Sequence, residues 1–268
     1  CRALRSRGLE GAIARKTGLL ADPYFSATKL AWLLDNVPDA RARAEAGELA
    51  FGTVDSWLIW NLTAGKSHVT DITNASRTML FNIRDRNWDH EILDWFSIPA
   101  SMLPDVLPCT GEFGVTVFKE FNIERPVHGV AGDQQAATVG QGCIDPGMIK
   151  ATYGTGCFAL LNTGDDRVSS QSRLLSTIAY DTGAERAFAL EGSIFMAGAT
   201  MQWLRDSLGL FEQAEETEQL ARSAKPSDVV FVPAFVGLGA PYWDPAARGA
   251  ILGMTRDTGI NELVAAAL

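Results

Sequence analysis

Apolar residues at Leu30, Leu33, Leu34 and Val37 recur at the i, i+3, i+4, i+7 spacing of one helix face, and Pro38 then breaks the pattern. Residues 27–37 are therefore predicted to form an amphipathic helix, followed by a second, charged helix over 40–49. Val54 to Trp60 is apolar apart from Asp55 and Ser56, and its length suits a buried strand as well as a helix. Residues 74–83 read as a turn leading to a strand, residues 99–108 as a proline-punctuated connector, and residues 115–121 as a weakly alternating segment. The apolar run Val127 to Ala131 then meets Gly132, a strand ending in a turn. Beyond the Ile144–Gly147 turn the pattern predicts strands near 148–153, 157–163 and 186–191, a helix over 193–208 and a β-branched strand over 228–235. Strands and helices mixed in this way predict an α/β architecture, and the change in tone near residue 143 marks the expected boundary between two domains, 1–143 and 144–268. Val229 to Ala240 is the longest apolar stretch, broken by Pro233 and too short to span a bilayer.

Composition narrows the function classes. The chain has 268 residues, 47% hydrophobic and 21% charged, as globular proteins do. A net charge of −9 with no basic block beyond Arg2, Arg5 and Arg7 argues against a nucleic-acid partner. It leaves nucleotides open, since local N–H groups, a metal and a few polar side chains are enough to cradle phosphates. Cys1, Cys109, Cys143 and Cys157 show neither CxxC spacing nor a nearby histidine, which fits reduced thiols and a cytoplasmic location. His68, His90 and His128 are scattered and read as surface or satisfied core positions. The chain begins at Cys1 and stops inside the helical pattern Glu262 to Leu268, so both ends read as cuts and the chain as an internal fragment.

Two short segments carry candidate chemistry. In Gly132-Asp133-Gln134-Gln135 an acid and two amides follow a strand end, where α/β proteins place active groups. Asp133 is a candidate general base for a hydroxyl, or alternatively the N-cap of a helix beginning at Gln135. In Lys150-Ala151-Thr152-Tyr153-Gly154-Thr155-Gly156-Cys157-Phe158 two glycines flank a hydroxyl residue, which lets backbone N–H groups and the Thr155 side chain approach a phosphate, or simply makes a tight hairpin. Gly198 and Gln202 are four apart and share a face of the expected helix, where they admit and bond a ligand, or serve packing and solvation. Lys150 and Arg77 are further candidates for phosphate charge, though nothing in the sequence selects them.

Tyr24-Phe25-Ser26-Ala27-Thr28-Lys29-Leu30-Ala31-Trp32-Leu33-Leu34-Asp35-Asn36 resembles the first signature of the FGGY carbohydrate kinases. Gly249 to Met254, spaced to Glu262–Leu268, resembles the second. Thr73 to Leu80, Ala131 to Gln135, Phe195 to Ala199 and Gly237 to Pro245 extend the similarity nearly end to end. The resemblance implies the actin-like, ribonuclease-H-like ATPase fold and ATP-dependent phosphoryl transfer with Mg²⁺. Within the family the blocks are most similar to the branch that acts on glycerol, a homo-oligomer in its full-length form, with a pentulose or gluconate kinase, or a non-catalytic binding module, as the alternatives. By this resemblance Asp133 is the base; Tyr24, Asp133, Gln134 and Phe158 hold the substrate; Thr155, Gly198 and Gln202 contact the nucleotide. It also implies an upstream Arg-Glu pair, a Trp and two phosphate- and adenine-side loops that this chain does not contain, so the chain by itself is expected to be inactive. Family members inhibited by fructose 1,6-bisphosphate carry a glycine-rich loop with an arginine where this chain reads Phe118 to Pro126, with Glu124 in the arginine's place, which speaks against that inhibition.

Overall fold

The computed structural model describes residues 1–118 and 123–268, and residues 119–122 of the expected regulatory loop lie outside the described residues. Two compact units emerge: Cys1–Lys150 with Leu160–Gln171 and Leu175–Glu191, and Ala151–Ala159 with Ser172–Leu174 and Gly192–Leu268.

In the first unit the predicted amphipathic helix spans Ser26–Asn36 and buries Ala27, Leu30 and Leu34. The charged helix is shorter than its pattern, Ala40–Glu45, because Gly47 takes a left-handed φ of 76° and turns the chain away. The undecided apolar segment is a helix, Val54–Leu62, with Thr53 at its N-cap. It buries Ser56 and Ile59 and leaves Val54, Trp57 and Leu58 exposed. The turn read at 74–83 holds a short helix, Ile72–Ala75, before the two-residue strand Phe81–Asn82. The connector carries the strand Asp105–Leu107, which pairs in parallel with Val69–Asp71. The weakly alternating segment becomes the long strand Thr110–Phe118, antiparallel to Ile123–Gly129. Ile72, Ala75, Phe81, Ile83, Cys109 and Ile178 form this unit's core, with Trp88, Val106, Tyr180 and Phe188 packed against it.

A four-stranded sheet includes Ile149–Tyr153, Cys157–Gly164 and Arg186–Ile194, all anticipated, and Leu175–Asp181, which was not. That strand hides from pattern reading because Ser176, Thr177 and Asp181 are buried along with its apolar residues, so it shows neither alternation nor an apolar run. Its partner register runs Arg186↔Asp181 to Glu191↔Leu175, with a bulge between Ala187 and Phe188.

In the second unit the strand runs on to Ile194, so the helix expected from residue 193 begins later, at Gly198–Asp206. The expected strand over 228–235 contracts to Val230–Val232, antiparallel to Ala250–Leu252. Leu204, Phe211, Phe231 and Val264 make its core, and the last helix spans Ile260–Ala267.

Among the described residues no helix is long and apolar enough to cross a membrane. All four cysteines are free, with Cys109, Cys143 and Cys157 buried. Burial pushes the Cys109 thiol up to about 12, and the neighbouring Asp71 and Asp181 carboxylates add to the effect.

Candidate active site

The first unit builds its site around the start of one helix. Asp133–Gly140 is helical, Gly132 is the N-cap, and the Asp133 side chain makes no capping bond. The alternative in which Asp133 caps a helix starting at Gln135 is thereby corrected: the helix starts two residues earlier and Asp133 lies inside its first turn. The carboxylate is exposed in the first turn of this helix.

Gly132 is held from behind. Its N–H donates to Thr73 Oγ1 at 2.8 Å, and that hydroxyl donates to Asp71 Oδ2 at 2.6 Å. Asp71 is fully buried and also accepts the Thr73 and Asn74 N–H groups and the Asn74 amide, at 2.7–3.0 Å. Burial raises its pKa against the pull of these donors. A Cβ at position 132 would lie 2.6 Å from Gln135 Oε1, so a side chain there would displace the Gln135 amide. The entry to Asp133 is thus fixed by a buried aspartate 62 residues earlier in the chain.

Asp133 and Gln134 line one cavity of about 720 Å³ with Tyr24, Phe25, Asp55, Asn74 and Arg77. Gln134 Nε2 donates to Asp133 Oδ2 at 3.2 Å, and Lys150 Nζ donates to Gln134 Oε1 at 2.5 Å. Tyr24 is 41% exposed and stacks edge-on against Phe25, ring centres 5.2 Å apart. Partial burial raises its phenol pKa, partly opposed by Arg77, so the hydroxyl stays protonated at neutral pH and can donate or accept. Arg77 forms a two-pronged ion pair with buried Glu191, both contacts at 2.8 Å, and its guanidinium lies 5.8 Å from the Phe25 ring centre. A carboxylate, an amide and a phenol around one cavity are suited to the hydroxyls of a small polyol. Lys150 and Arg77, considered for phosphate charge, bond Gln134 and Glu191.

The second unit holds Thr155, Phe158, Gly198 and Gln202. Thr155 is exposed in a tight turn closed by Gly154 N–H to Gly156 O at 2.8 Å. The turn docks on the start of the Gly198–Asp206 helix: Ala197 N–H donates to Thr155 O at 2.8 Å and Gly198 N–H to Gly154 O at 2.9 Å. A Cβ at Gly198 would lie 2.6 Å from Gly154 O, and one at Gly156 would lie 2.5 Å from Ile194 O. A side chain at either glycine would collide with that backbone, and Thr155 stands exposed at the turn. Phe158 is half-buried. Gln202 is exposed and lines a cavity of about 760 Å³ with Met196, Ala199, Trp203, Asp206 and Arg248.

Sequence reading did not select Asp71, Thr73 or Glu191. Asp71 carried a signal, since Asp is a favoured helix N-cap residue and caps Ile72–Ala75 here. Glu191 had none, because its partner Arg77 is 114 residues away.

Residues 1–140 match the FGGY family of carbohydrate kinases, N-terminal domain, and residues 149–268 match the C-terminal domain of the same family. The chain is 61% identical to a glycerol kinase of Alcanivorax borkumensis and 59% identical to glycerol kinase 1 of Pseudomonas aeruginosa, over 100% of this chain and 54% of each relative. It spans about half the length of the curated relatives it matches. Among solved structures it resembles Plasmodium falciparum glycerol kinase with ADP, at TM-score 0.83 and 38% identity over 96% of this chain and 52% of that one. A ligand-bound xylulose kinase from Lactobacillus acidophilus gives TM-score 0.84 at 25% identity, over 99% of this chain and 54% of that one.

Proposed function

The chain belongs to the FGGY family of carbohydrate kinases and has the actin-like ATPase fold, and from that premise we propose that it is part of a glycerol kinase. The reaction is transfer of the γ-phosphoryl of ATP to a terminal hydroxyl of glycerol, giving sn-glycerol 3-phosphate and ADP. The observation that carries the reading is the 59–61% identity to glycerol kinases along the whole chain. The gathering of Tyr24, Asp133 and Gln134 around one cavity supports it. The likeness to xylulose and gluconate kinases, at 25% identity, is the weaker claim on substrate.

In this mechanism Asp133 accepts the hydroxyl proton as the oxygen bonds to phosphorus and the bond to the ADP oxygen breaks. Tyr24 and Gln134 hydrogen-bond the remaining hydroxyls, and Phe158 offers an apolar face to the carbons. Thr155 contacts the nucleotide phosphates, and Gly198 and Gln202 take the rest of the nucleotide. Mg²⁺, when bound with the nucleotide, would supply neutralisation of phosphate charge. The change from substrate-side to nucleotide-side portions is placed near residue 143, supported by the separate family matches to 1–140 and 149–268. A cytoplasmic, homo-oligomeric full-length enzyme with no nucleic-acid or membrane partner completes the reading; the net charge of −9 speaks against nucleic acid, and the free thiols suit a reducing compartment.

The test replaces the matching segment of a full-length relative with this chain and measures ADP release over a panel of polyols, pentuloses and gluconate. Glycerol is expected to give the highest kcat/KM; preference for a pentulose would overturn the assignment.

A further inference from the structure

We propose that Lys150 is a positioning residue for the catalytic carboxylate, acting through the Gln134 amide. The inference rests on the reading of Asp133 as general base and adds to it a residue outside the substrate contacts.

Three side chains form an ordered series. Lys150, on the strand Ile149–Tyr153, is 1% exposed. Gln134 is half-buried and Asp133 is exposed. The Lys150 ammonium donates to Gln134 Oε1 at 2.5 Å, and Gln134 Nε2 donates to Asp133 Oδ2 at 3.2 Å. An ammonium has donors and no acceptor, so it selects the amide oxygen and rejects the amide nitrogen. Turning the Gln134 amide over would set NH₂ against NH₃⁺ and the amide oxygen against the carboxylate, two repulsions in place of two bonds. Lys150 therefore decides which end of the amide meets Asp133. With Oδ2 engaged by the amide, the carboxylate is held by one oxygen, and Oδ1 is the one presented to an incoming hydroxyl. Gly132 fixes the backbone of Asp133 from the other side through Thr73, so the base is held at both ends.

A buried ammonium is costly to keep, so packing alone is a poor reason for lysine at this place. A methionine would fill similar volume without that cost, and would leave the amide free to take either orientation. The distinction between filling and orienting can be measured.

Lys150→Met and Lys150→Arg are made in the full-length relative carrying this segment, and Lys150→Met also in the Asp133→Asn background. Lys150→Met is expected to lower kcat by about ten- to a hundredfold, the scale of a misplaced catalytic group, with KM for ATP unchanged within about twofold. Lys150→Arg restores most of the loss, and Lys150→Met adds nothing once Asp133 is Asn. In ¹H–¹⁵N spectra the Gln134 side-chain amide signals move and lose exchange protection in Lys150→Met. A kcat within twofold of the parent, a full further loss in the Asp133→Asn background, or unmoved amide signals would each overturn the proposal. Should Lys150→Met fail to fold, Gln134→Glu keeps an acceptor for Lys150 while removing the N–H to Asp133. Its kcat is expected to fall by the same factor, and an unchanged kcat overturns the proposal. If the unsubstituted protein does not phosphorylate glycerol, the kinase reading fails, and the amide signals still decide whether Lys150 orients Gln134.

Discussion

Asp133 is available for chemistry because Gly132 takes the capping position and a bond to Thr73 takes the glycine N–H. Replacing Asp133 with Asn keeps the shape and removes the proton acceptor. In the full-length context kcat is expected to fall by about two to four decades, with glycerol binding retained within a few-fold, as a positioned base predicts. Glycerol-dependent ADP release with isothermal titration of glycerol checks both halves, and a loss under tenfold would remove Asp133 from the base role. Cys109 is the contrasting case, a titratable group in the core of the same unit. With its pKa pushed up to about 12, only about one thiol in ten thousand is ionised at pH 8. Native alkylation by iodoacetamide is expected to be at least about a thousandfold slower than for a free thiol, read by peptide mass mapping. Rapid labelling of Cys109 in the folded chain would show that its core opens. At this scale the sequence singled out Asp133, Gln134 and Tyr24 as candidates by residue type and local context, and the fold sets them around one cavity. The sequence concealed groups whose meaning depends on a distant partner: Thr73 acts on Gly132 and Lys150 on Gln134, and neither pairing leaves a spacing to read.

Elements were legible where one face pays attention to one side. The Ser26–Asn36 helix shows its period, although only Leu30 and Leu34 of the predicted stripe are buried and Leu33 and Val37 stay exposed, whereas Leu175–Asp181 is buried with its polar residues and shows no pattern. Val54–Leu62 was ambiguous because its apolar residues are spread around the helix rather than gathered on the buried side. Element ends also hold a pH-dependent term. Asp89 caps the helix His90–Phe96 through the Ile92 N–H at 3.1 Å and receives the Lys16 ammonium on both oxygens at 2.9 Å. Burial alone would raise its pKa, but Lys16, Asn82 and the Ile92 N–H together bring it below the usual carboxylate value. Its stabilisation is therefore present above about pH 4 and fades as the pH falls through the lower folded-state value. Lys16 is raised by hydrogen bonds to Asp89 and Glu91, so its part is complete below about pH 10 and fades only as the pH rises through its higher folded value. Asp89→Ala is expected to cost about 1–2 kcal/mol between pH 5 and 9, the scale of a lost cap with a charge-assisted bond, with the gap closing below about pH 4. Urea midpoints measured across pH test this; a gap that persists undiminished at pH 3 would show that packing rather than charge is lost.

For the molecule as a whole, family membership was legible because several separate blocks agree, while the exact course of the fold between them was not. Since the chain spans about half the length of its curated relatives, ADP release by residues 1–268 alone with glycerol is expected to fall far below that of a full-length relative. Positioning and charge stabilisation provide most of the rate in phosphoryl transfer, and they depend on how many groups surround the phosphates. Turnover within tenfold of a full-length relative would show that this segment supplies enough of those groups itself. The helix Val54–Leu62 adds a consequence of an optical kind. Trp57, 65% exposed, and Trp60, 41% exposed, stand in water along it beside Val54 and Leu58. Wet indoles emit at longer wavelength than buried ones. Any chain that settles on this helix will shift their fluorescence to the blue, so the surface reports its own covering without an added dye.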